Sequence, residues 1–429
     1  MSSIKLNNFS ISIENKVFVN NLSLELNSGD VLGIVGDSGS GKTVLATSIA
    51  GIIQQNLKLE GEITRDYKRL AILFQNPMNQ LFSINVYEEL KNSILQSNKI
   101  FDNKILDKES KKWGVENLLN KKIDKLSLGE AQQVALASIM ISKPDLIILD
   151  EPAQYIDEES FNDRFSKIKE NLPNTIIIIV EHNYNLINRL STIIIKLEDD
   201  NYSFIKKLEI PSFKTFKVIR TEEKLLELKN IKFSYQKEEN LINIDSLIIK
   251  KGDFLHLKGK NGTGKSTLAK IIIRLIKQNS GNILYYNPNC KNPKLKKIRK
   301  RVSYIFQNPD NQIFASKVQE EIYYSNNGVI NNNIENWIDK FNLRELLERS
   351  PHILSFGERR RVNILSAISH NPEIIIYDEP STGLDYKNRI TLLKFMNEQN
   401  QKGITQILIS HDKWFTDKIQ SKSILNMSL

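Results

Sequence analysis

GDSGSGKT at residues 36–43 and GKNGTGKS at residues 259–266 decide the fold. Both fit G-x-x-x-x-G-K-[ST], and each follows an apolar run, VLGIV in the first case and FLHLK in the second. A strand, a glycine-rich loop and a helix start in that order form a P-loop, whose backbone N–H groups and helix N-terminus hold phosphate. The candidate phosphate-binding residues are Gly36, Asp37, Ser38, Gly39, Ser40, Gly41, Lys42 and Thr43, then Gly259, Lys260, Asn261, Gly262, Thr263, Gly264, Lys265, Ser266 and Thr267. In each loop the lysine is placed to reach β- and γ-phosphates, and the hydroxyl of Thr43 or Ser266 to ligate Mg2+. One such loop predicts a nucleotide site. Two in register predict a pair, with ATP and Mg2+ as the expected ligands.

Working outward, Gly36 recurs as Gly259, Gln75 as Gln307, Ser127 as Ser355, Asp150 as Asp378 and His182 as His411, at a near-constant offset of 223 to 232 residues. The openings align as well, LNNFSISIENKVFVNNLSLELNSGD against LKNIKFSYQKEENLINIDSLIIKKGD. A domain-sized period means duplicated domains rather than a solenoid, and 429 residues suffice for two cores. The expected domains are residues 1–211 and 222–429, joined by a short linker. The second copy is longer between P-loop and glutamine, where NPNCKNPKLKK at residues 287–297 reads as a surface loop.

Composition, with 40% apolar and 26% charged residues, is that of an ordinary globular protein. No apolar run approaches the roughly 18 residues of a membrane span, and the opening MSSIKLNNFSISIENK does not read as a signal peptide. The lone Cys290 cannot form an internal disulfide and reads as an incidental thiol. The net charge of +10 comes from lysines spread through an Asn- and Ile-rich background. It reads as a solvated surface, with no nucleic-acid partner expected, and would also suit docking beneath an anionic leaflet. These features point to the cytoplasm, soluble or peripheral to a membrane.

LIILDEP at residues 146–152 and IIIYDEP at residues 374–380 are apolar runs ending in acids. A buried parallel strand reads this way, and its carboxyl end faces the nucleotide crevice. Asp150 and Asp378 would hold Mg2+ through water, and Glu151 and Glu379 would act as general bases on the attacking water.

Between these lie LSLGEAQQVALA at residues 126–137 and LSFGERRRVNIL at residues 354–365. Both resemble the LSGGQ signature of ATP-binding cassette (ABC) proteins, with Leu128 or Phe356 at the third position and Glu130 or Glu358 in place of Gln. The resemblance covers nearly the whole chain. It implies α/β tandem P-loop NTPase domains, each with an antiparallel β subdomain at its start and a helical subdomain between Q-loop and signature. It implies that Ser127 and Gly129, or Ser355 and Gly357, open a helix whose N-terminus meets the γ-phosphate held by the other half, the halves closing head to tail around two ATP–Mg2+. Gln75 and Gln307 match the Q-loop that senses γ-phosphate and lies by the metal. His182 and His411 match the switch histidine, and Asp157 and Asp385 match the D-loop aspartate. Tyr235 stands where the family stacks an aromatic on adenine; the first half aligns Ile13 there, with Phe9 and Phe18 as its nearby aromatics.

FQNPMNQLF at residues 74–82 and FQNPDNQIF at residues 306–314 are similar to the Q-loop segment of energy-coupling factor (ECF) importers of vitamins and transition metals. AQYID in the first half also resembles fused ATPases of that subfamily. The resemblance implies a transmembrane coupling subunit and a substrate-binding membrane subunit as partners, at the cytoplasmic face of the cell membrane. Leu81/Phe82 and Ile313/Phe314 would be exposed apolar pairs making the contact. The alternatives are another class of importer, or a soluble tandem-cassette ATPase acting on ribosomes. ABC-F proteins of the latter kind carry a long charged linker and Asn-His-Leu-Asp, where this chain has about ten residues and STGLD.

Overall fold

The computed structural model describes residues 2–13, 16–53, 56–97, 100–156, 158–198, 201–235, 241–260, 262–286, 301–324 and 332–427. The chain divides into two units, Met1–Pro211 and Ser212–Leu429. The stretch at residues 287–297, with Cys290, lies outside the described residues.

The first unit contains β1 (Ser3–Ile13), β2 (Lys16–Asn27), β3 (Val31–Gly36), β4 (Leu57–Asp66), β5 (Leu70–Leu73), β6 (Leu146–Asp150), β7 (Ile176–Val180), β8 (Ile193–Glu198) and β9 (Asn201–Phe204). Its main sheet has the order β5-β6-β7-β3-β8-β9, parallel except where β9 folds back against β8. The runs of Val, Ile and Leu in β3, β6 and β7 are buried on both faces, which is why they are continuous rather than alternating. β7 lies between the P-loop strand β3 and the acid-bearing β6, so His182, just past β7, emerges between the phosphate loop and the carboxylates. A separate antiparallel sheet, β2-β1-β4, packs Leu6, Phe9 and Ile11 into one core. Between β5 and β6, helices Val86–Gln96, Asn103–Trp113 and Leu128–Ser142 bury Leu90, Ile94, Leu106 and Val134 in another.

The second unit contains β10 (Phe216–Lys217), β11 (Lys224–Phe233), β12 (Ile242–Lys250), β13 (Phe254–Lys258), β14 (Ser280–Tyr285), β15 (Val302–Ile305), β16 (Ile374–Asp378), β17 (Thr405–Ile409), β18 (Ile419–Gln420) and β19 (Ser423–Asn426). The parallel order β15-β16-β17-β13-β19 and the antiparallel sheet β12-β11-β14 repeat the first unit's plan. Helices Val318–Tyr323, Asn332–Lys340 and Phe356–Ile368 occupy the insertion between β15 and β16, and Trp337 is buried against Phe341 and Phe395.

Residues 212–221, expected to be a linker, start the second unit instead. β10 pairs in parallel with β18, and Phe216 and Val218 are buried in the second unit's core. Asn400 accepts a hydrogen bond from the Ile219 N–H at 2.8 Å and donates to its carbonyl at 3.2 Å. Two buried apolar side chains and this clamp outweigh the segment's polar composition.

The duplication reaches a β-bulge. The register of β1 against β4 shifts between Asn7 and Ser10, around Asn8 at φ 48°. The register of β11 against β14 shifts between Lys229 and Lys232, around Asn230 at φ 48°. The residue opposite each is glycine: a Cβ on Gly61 would lie 2.3 Å from the Asn8 carbonyl oxygen, and one on Gly281 would lie 2.2 Å from that of Asn230. Asparagine tolerates the left-handed backbone, and only glycine fits against it.

Candidate functional site

Each P-loop ends in a glycine N-cap with left-handed backbone, Gly41 at φ 90° and Gly264 at φ 85°, neither supplying a side-chain cap. The lysines fold back onto their own loops. Lys42 Nζ donates to the carbonyls of Gly36 at 3.0 Å and Asp37 at 2.8 Å, and Lys265 Nζ to those of Gly259 and Lys260, both at 2.8 Å. Burial pulls the Lys265 ammonium below its ordinary range, against the Glu379 and Asp378 charges. Thr263 Oγ1 donates to the Lys260 carbonyl at 2.9 Å. Its counterpart Ser40 Oγ is buried with no hydrogen-bond partner among the described residues, an orphaned hydroxyl that a phosphate oxygen would satisfy. Asn261 lies outside the described residues.

In the first unit, Thr43 Oγ1 donates to Asp150 Oδ2 at 2.9 Å. The next residue, Glu151, turns out of β6 with φ 48°, and its Oε1 lies 3.3 Å from His182 Nε2. The Gln75 side chain lies by Glu151 and favours its charged form, so Lys42, Thr43, Gln75, Asp150, Glu151 and His182 form one cluster. Burial, reinforced by the Glu151 charge, pushes Asp150 up to about 7, against the Thr43 hydrogen bond and the Lys42 charge. Burial also pushes Glu151 up, but the His182 hydrogen bond and charge, then Lys42 and Gln75, outweigh it and hold this carboxyl below its ordinary range.

The second unit has the same elements but different contacts. Tyr304, on β15, donates its hydroxyl to Asp378 Oδ2 at 2.6 Å, and the Ser266 hydroxyl lies beside the same carboxylate and favours its charged form. Glu379 again turns at φ 47°, but His411 Nε2 stands 3.8 Å from its Oε1. The His411 side chain is 32% exposed against 5% for His182. Burial and the Asp378 charge push Glu379 up to about 8, against a backbone hydrogen bond from His411 and the Lys265 charge. The Gln307 backbone carbonyl accepts from Arg360, as does that of Phe306.

Both signature serines cap their helices. Ser127 and Glu130, and Ser355 and Glu358, form complete capping boxes, which gives Glu at the fifth signature position a structural role of its own. A Cβ on Gly129 would lie 3.1 Å from the Tyr155 carbonyl oxygen; Gly357 is buried in the first turn of its helix. Asp385 caps the helix Tyr386–Gln401 through Asn388 N at 2.8 Å, whereas Asp157 lies outside the described residues. The Tyr235 ring is exposed, and its hydroxyl is 3.0 Å from Thr267 Oγ1. In the first unit Phe9 is a core residue, and Phe18 packs on the P-loop so closely that a Cβ on Gly41 would lie 2.4 Å from its ring.

The expected apolar pairs are corrected. Phe82 and Phe314 are 87% and 58% exposed, but Leu81 and Ile313 are each 7% exposed. Leu81 follows the 3-10 turn Pro77–Gln80 in extended backbone, so neighbouring side chains point opposite ways and one of the two must enter the core. Tyr304 and Arg360 were missed by sequence reasoning. Their one signal was a phenol where the first unit has Ile72 and a charge where it has the neutral Gln132.

The hydroxyls of Thr43 and Ser266 with the buried carboxylates of Asp150 and Asp378 form a hard-oxygen donor set that suits Mg2+. No described helix is long and apolar enough to cross a membrane. The ABC transporter family matches residues 19–154 and 242–382. A Clostridium perfringens protein named as an ABC transporter ATP-binding protein is 27% identical over 96% of this chain and 87% of its own length. A Methanosarcina acetivorans protein of the same description is 28% identical over 95% and 86%. Among solved structures, the RNase-L Inhibitor aligns over 97% of this chain and 87% of its own, with TM-score 0.67 and 19% identity, a likeness of fold. With both family matches together spanning more than half of the sequence, the chain belongs to the ABC transporter family and is an ABC-type ATPase with two ATP-binding domains fused in one polypeptide.

Proposed function

We propose that the chain is the ATP-hydrolysing subunit of an ECF-type importer. It would work at the cytoplasmic face of the cell membrane and energise uptake of a vitamin or transition-metal ion chosen by a separate membrane subunit. The observation that carries this reading is the repeated exposed phenylalanine beyond each Q-loop, Phe82 and Phe314. In the first unit the intervening turn is stiff: Asn76 caps it through Met78 N at 3.0 Å, and Gln80 Oε1 accepts from Phe74 N at 2.8 Å. Gln75 at its start lies by the candidate base Glu151, so a contact at Phe82 is mechanically close to the chemistry. Phe314 is braced edge-on by Tyr324 at 4.5 Å.

Lys42 and Lys265 leave the loop carbonyls they now hold and bind the β- and γ-phosphates. Thr43 with Asp150, and Ser266 with Asp378, would hold Mg2+, near Gln75 and Gln307. When bound, that ion neutralises charge on the phosphates. Glu151 and Glu379 orient and deprotonate the attacking water, and His182 and His411 hold those carboxylates on the γ-phosphate side. Ser127 and Gly129 of one half, and Ser355 and Gly357 of the other, would complete the site opposite, pairing the halves head to tail. Binding then favours closure by its differential affinity for the closed state.

The test is co-purification. Phe82→Ala with Phe314→Ala should keep ATP binding and lose the membrane coupling subunit. Retained co-purification contradicts the reading, and pelleting with ribosomes instead would support the soluble alternative.

A further inference from the structure

Asp378 carries a hydrogen bond that Asp150 lacks. β15 and β16 are parallel, with Tyr304 opposite Ile376. Asp378 lies two residues further along and so on the same face, within reach of a ring directed toward the strand's carboxyl end. The phenol is buried, and its 2.6 Å contact with Asp378 Oδ2 is in the range of a short hydrogen bond to an ionised acceptor. Phe306 braces the ring at 4.7 Å between centroids. Arg360, fully buried on the signature helix, fixes the backbone just beyond it by donating to the carbonyls of Phe306 and Gln307. Its positive charge acts on Asp378 as well. In the first unit the corresponding residues are Ile72, which cannot donate, and Gln132, which donates elsewhere, to the Pro152 carbonyl at 2.9 Å.

We propose that Tyr304 is a positioning residue of the second nucleotide site. Its hydroxyl holds the Asp378 carboxylate in the orientation that ligates the divalent cation, so that the two sites of this chain differ in cation affinity. The inference rests on the reading of Asp378 as a metal-holding residue. A partner that orients a ligating carboxylate typically contributes about 10–100-fold to metal affinity. The first site's aspartate is held by Thr43, itself a candidate cation ligand; the second's is held by Tyr304, which stays on the carboxylate when the cation binds. The second site should therefore fill with the cation first.

The experiment uses the full chain with ATPγS and Mn2+, following free Mn2+ by electron paramagnetic resonance. Lys42→Ala isolates the second site and Lys265→Ala the first. In the Lys42→Ala background, Tyr304→Phe should weaken Mn2+ binding about 10–100-fold while leaving ATPγS affinity in EDTA unchanged. Tyr304→Ile, the residue the first unit has there, is the second variant, with the same loss expected and its fold already compatible with this strand position. In the Lys265→Ala background neither substitution should change Mn2+ binding. Unchanged Mn2+ affinity in both variants overturns the proposal, and so does an equal loss at the first site. Asp378→Asn in the Lys42→Ala background separates the two readings. If it too leaves Mn2+ affinity intact, the metal-holding role itself fails; if it alone weakens binding, only the positioning role fails.

Discussion

His182 Nε2 stands 3.3 Å from Glu151 Oε1, and the equivalent pair, His411 and Glu379, is 3.8 Å apart. The tighter pair is buried and the looser one is part-exposed at the imidazole, so one duplicated motif yields two electrostatic settings. Glu151 is held below its ordinary range, whereas Glu379 is pushed up to about 8. The difference originates in the paired histidine: burial is outweighed at Glu151 by the His182 hydrogen bond and charge, whereas at Glu379 a backbone hydrogen bond from His411 does not offset burial and the Asp378 charge. Glu181 accepts from the His182 N–H at 2.8 Å, while Ser410 occupies that place before His411.

The asparagine–glycine bulges give a stability expectation. Gly281→Ala and Gly61→Ala each force a Cβ onto a backbone carbonyl at left-handed φ. Each should destabilise its unit by more than about 1 kcal/mol, read as a lowered midpoint in urea unfolding. Gly262→Ala also has positive φ but no atom within 4 Å of its Cβ, so it should cost less than Gly281→Ala. Equal losses would mean that the carbonyl contact contributes nothing.

Arg360→Gln installs the first unit's residue in the second unit's signature helix. It leaves the Phe306 and Gln307 carbonyls without their buried donor. The expected loss is about 1–3 kcal/mol, measured through the fluorescence of buried Trp337. A change below about 0.5 kcal/mol would show that the shorter amide or water replaces the guanidinium.

His256, on the second P-loop strand, meets the Ser410 carbonyl at 3.1 Å from Nε2. Burial holds His256 and His370 below the ordinary 6.5. The unfolded chain therefore binds protons first as pH falls through 6.5, and the folded state loses stability between that value and the lower folded one. Asp150 and Glu379, raised to about 7 and about 8, take up protons over the same range and favour the folded state, so the histidine contribution is read as a difference between variants. On going from pH 7.5 to 5.5, the thermal midpoint of His256→Gln, which keeps a donor, should shift upward relative to that of the parent, and an identical pH dependence in the two would show that His256 contributes nothing.

The legible parts of this fold were those tied to backbone geometry at fixed spacing. Lys42, Thr43, Asp150, Glu151 and their counterparts fall at strand ends and helix starts, where a motif dictates residue type. The less legible parts depend on long side chains crossing between elements. Tyr304 reaches a carboxylate 74 residues away, and Arg360 ties the signature helix to a loop more than 50 residues earlier. A tyrosine in an aliphatic strand and an arginine in a buried helix face were visible, but not their partners. The Leu81/Phe82 pair misled because extended backbone alternates faces, and Ile313 is buried as Leu81 is. Residues 212–221 misled because their two buried side chains are spaced too sparsely to read as a strand.

On the proposed mechanism each half carries its own complete set of hydrolytic groups. Steady-state ATP turnover of Glu151→Gln, Glu379→Gln and the double variant tests it most directly. Each single substitution should strongly depress turnover at its own site, by the roughly 10²–10⁴-fold that a general base supplies, and the double variant should abolish it. Wild-type turnover in either single variant would contradict the claim and leave only one of the two sites at work.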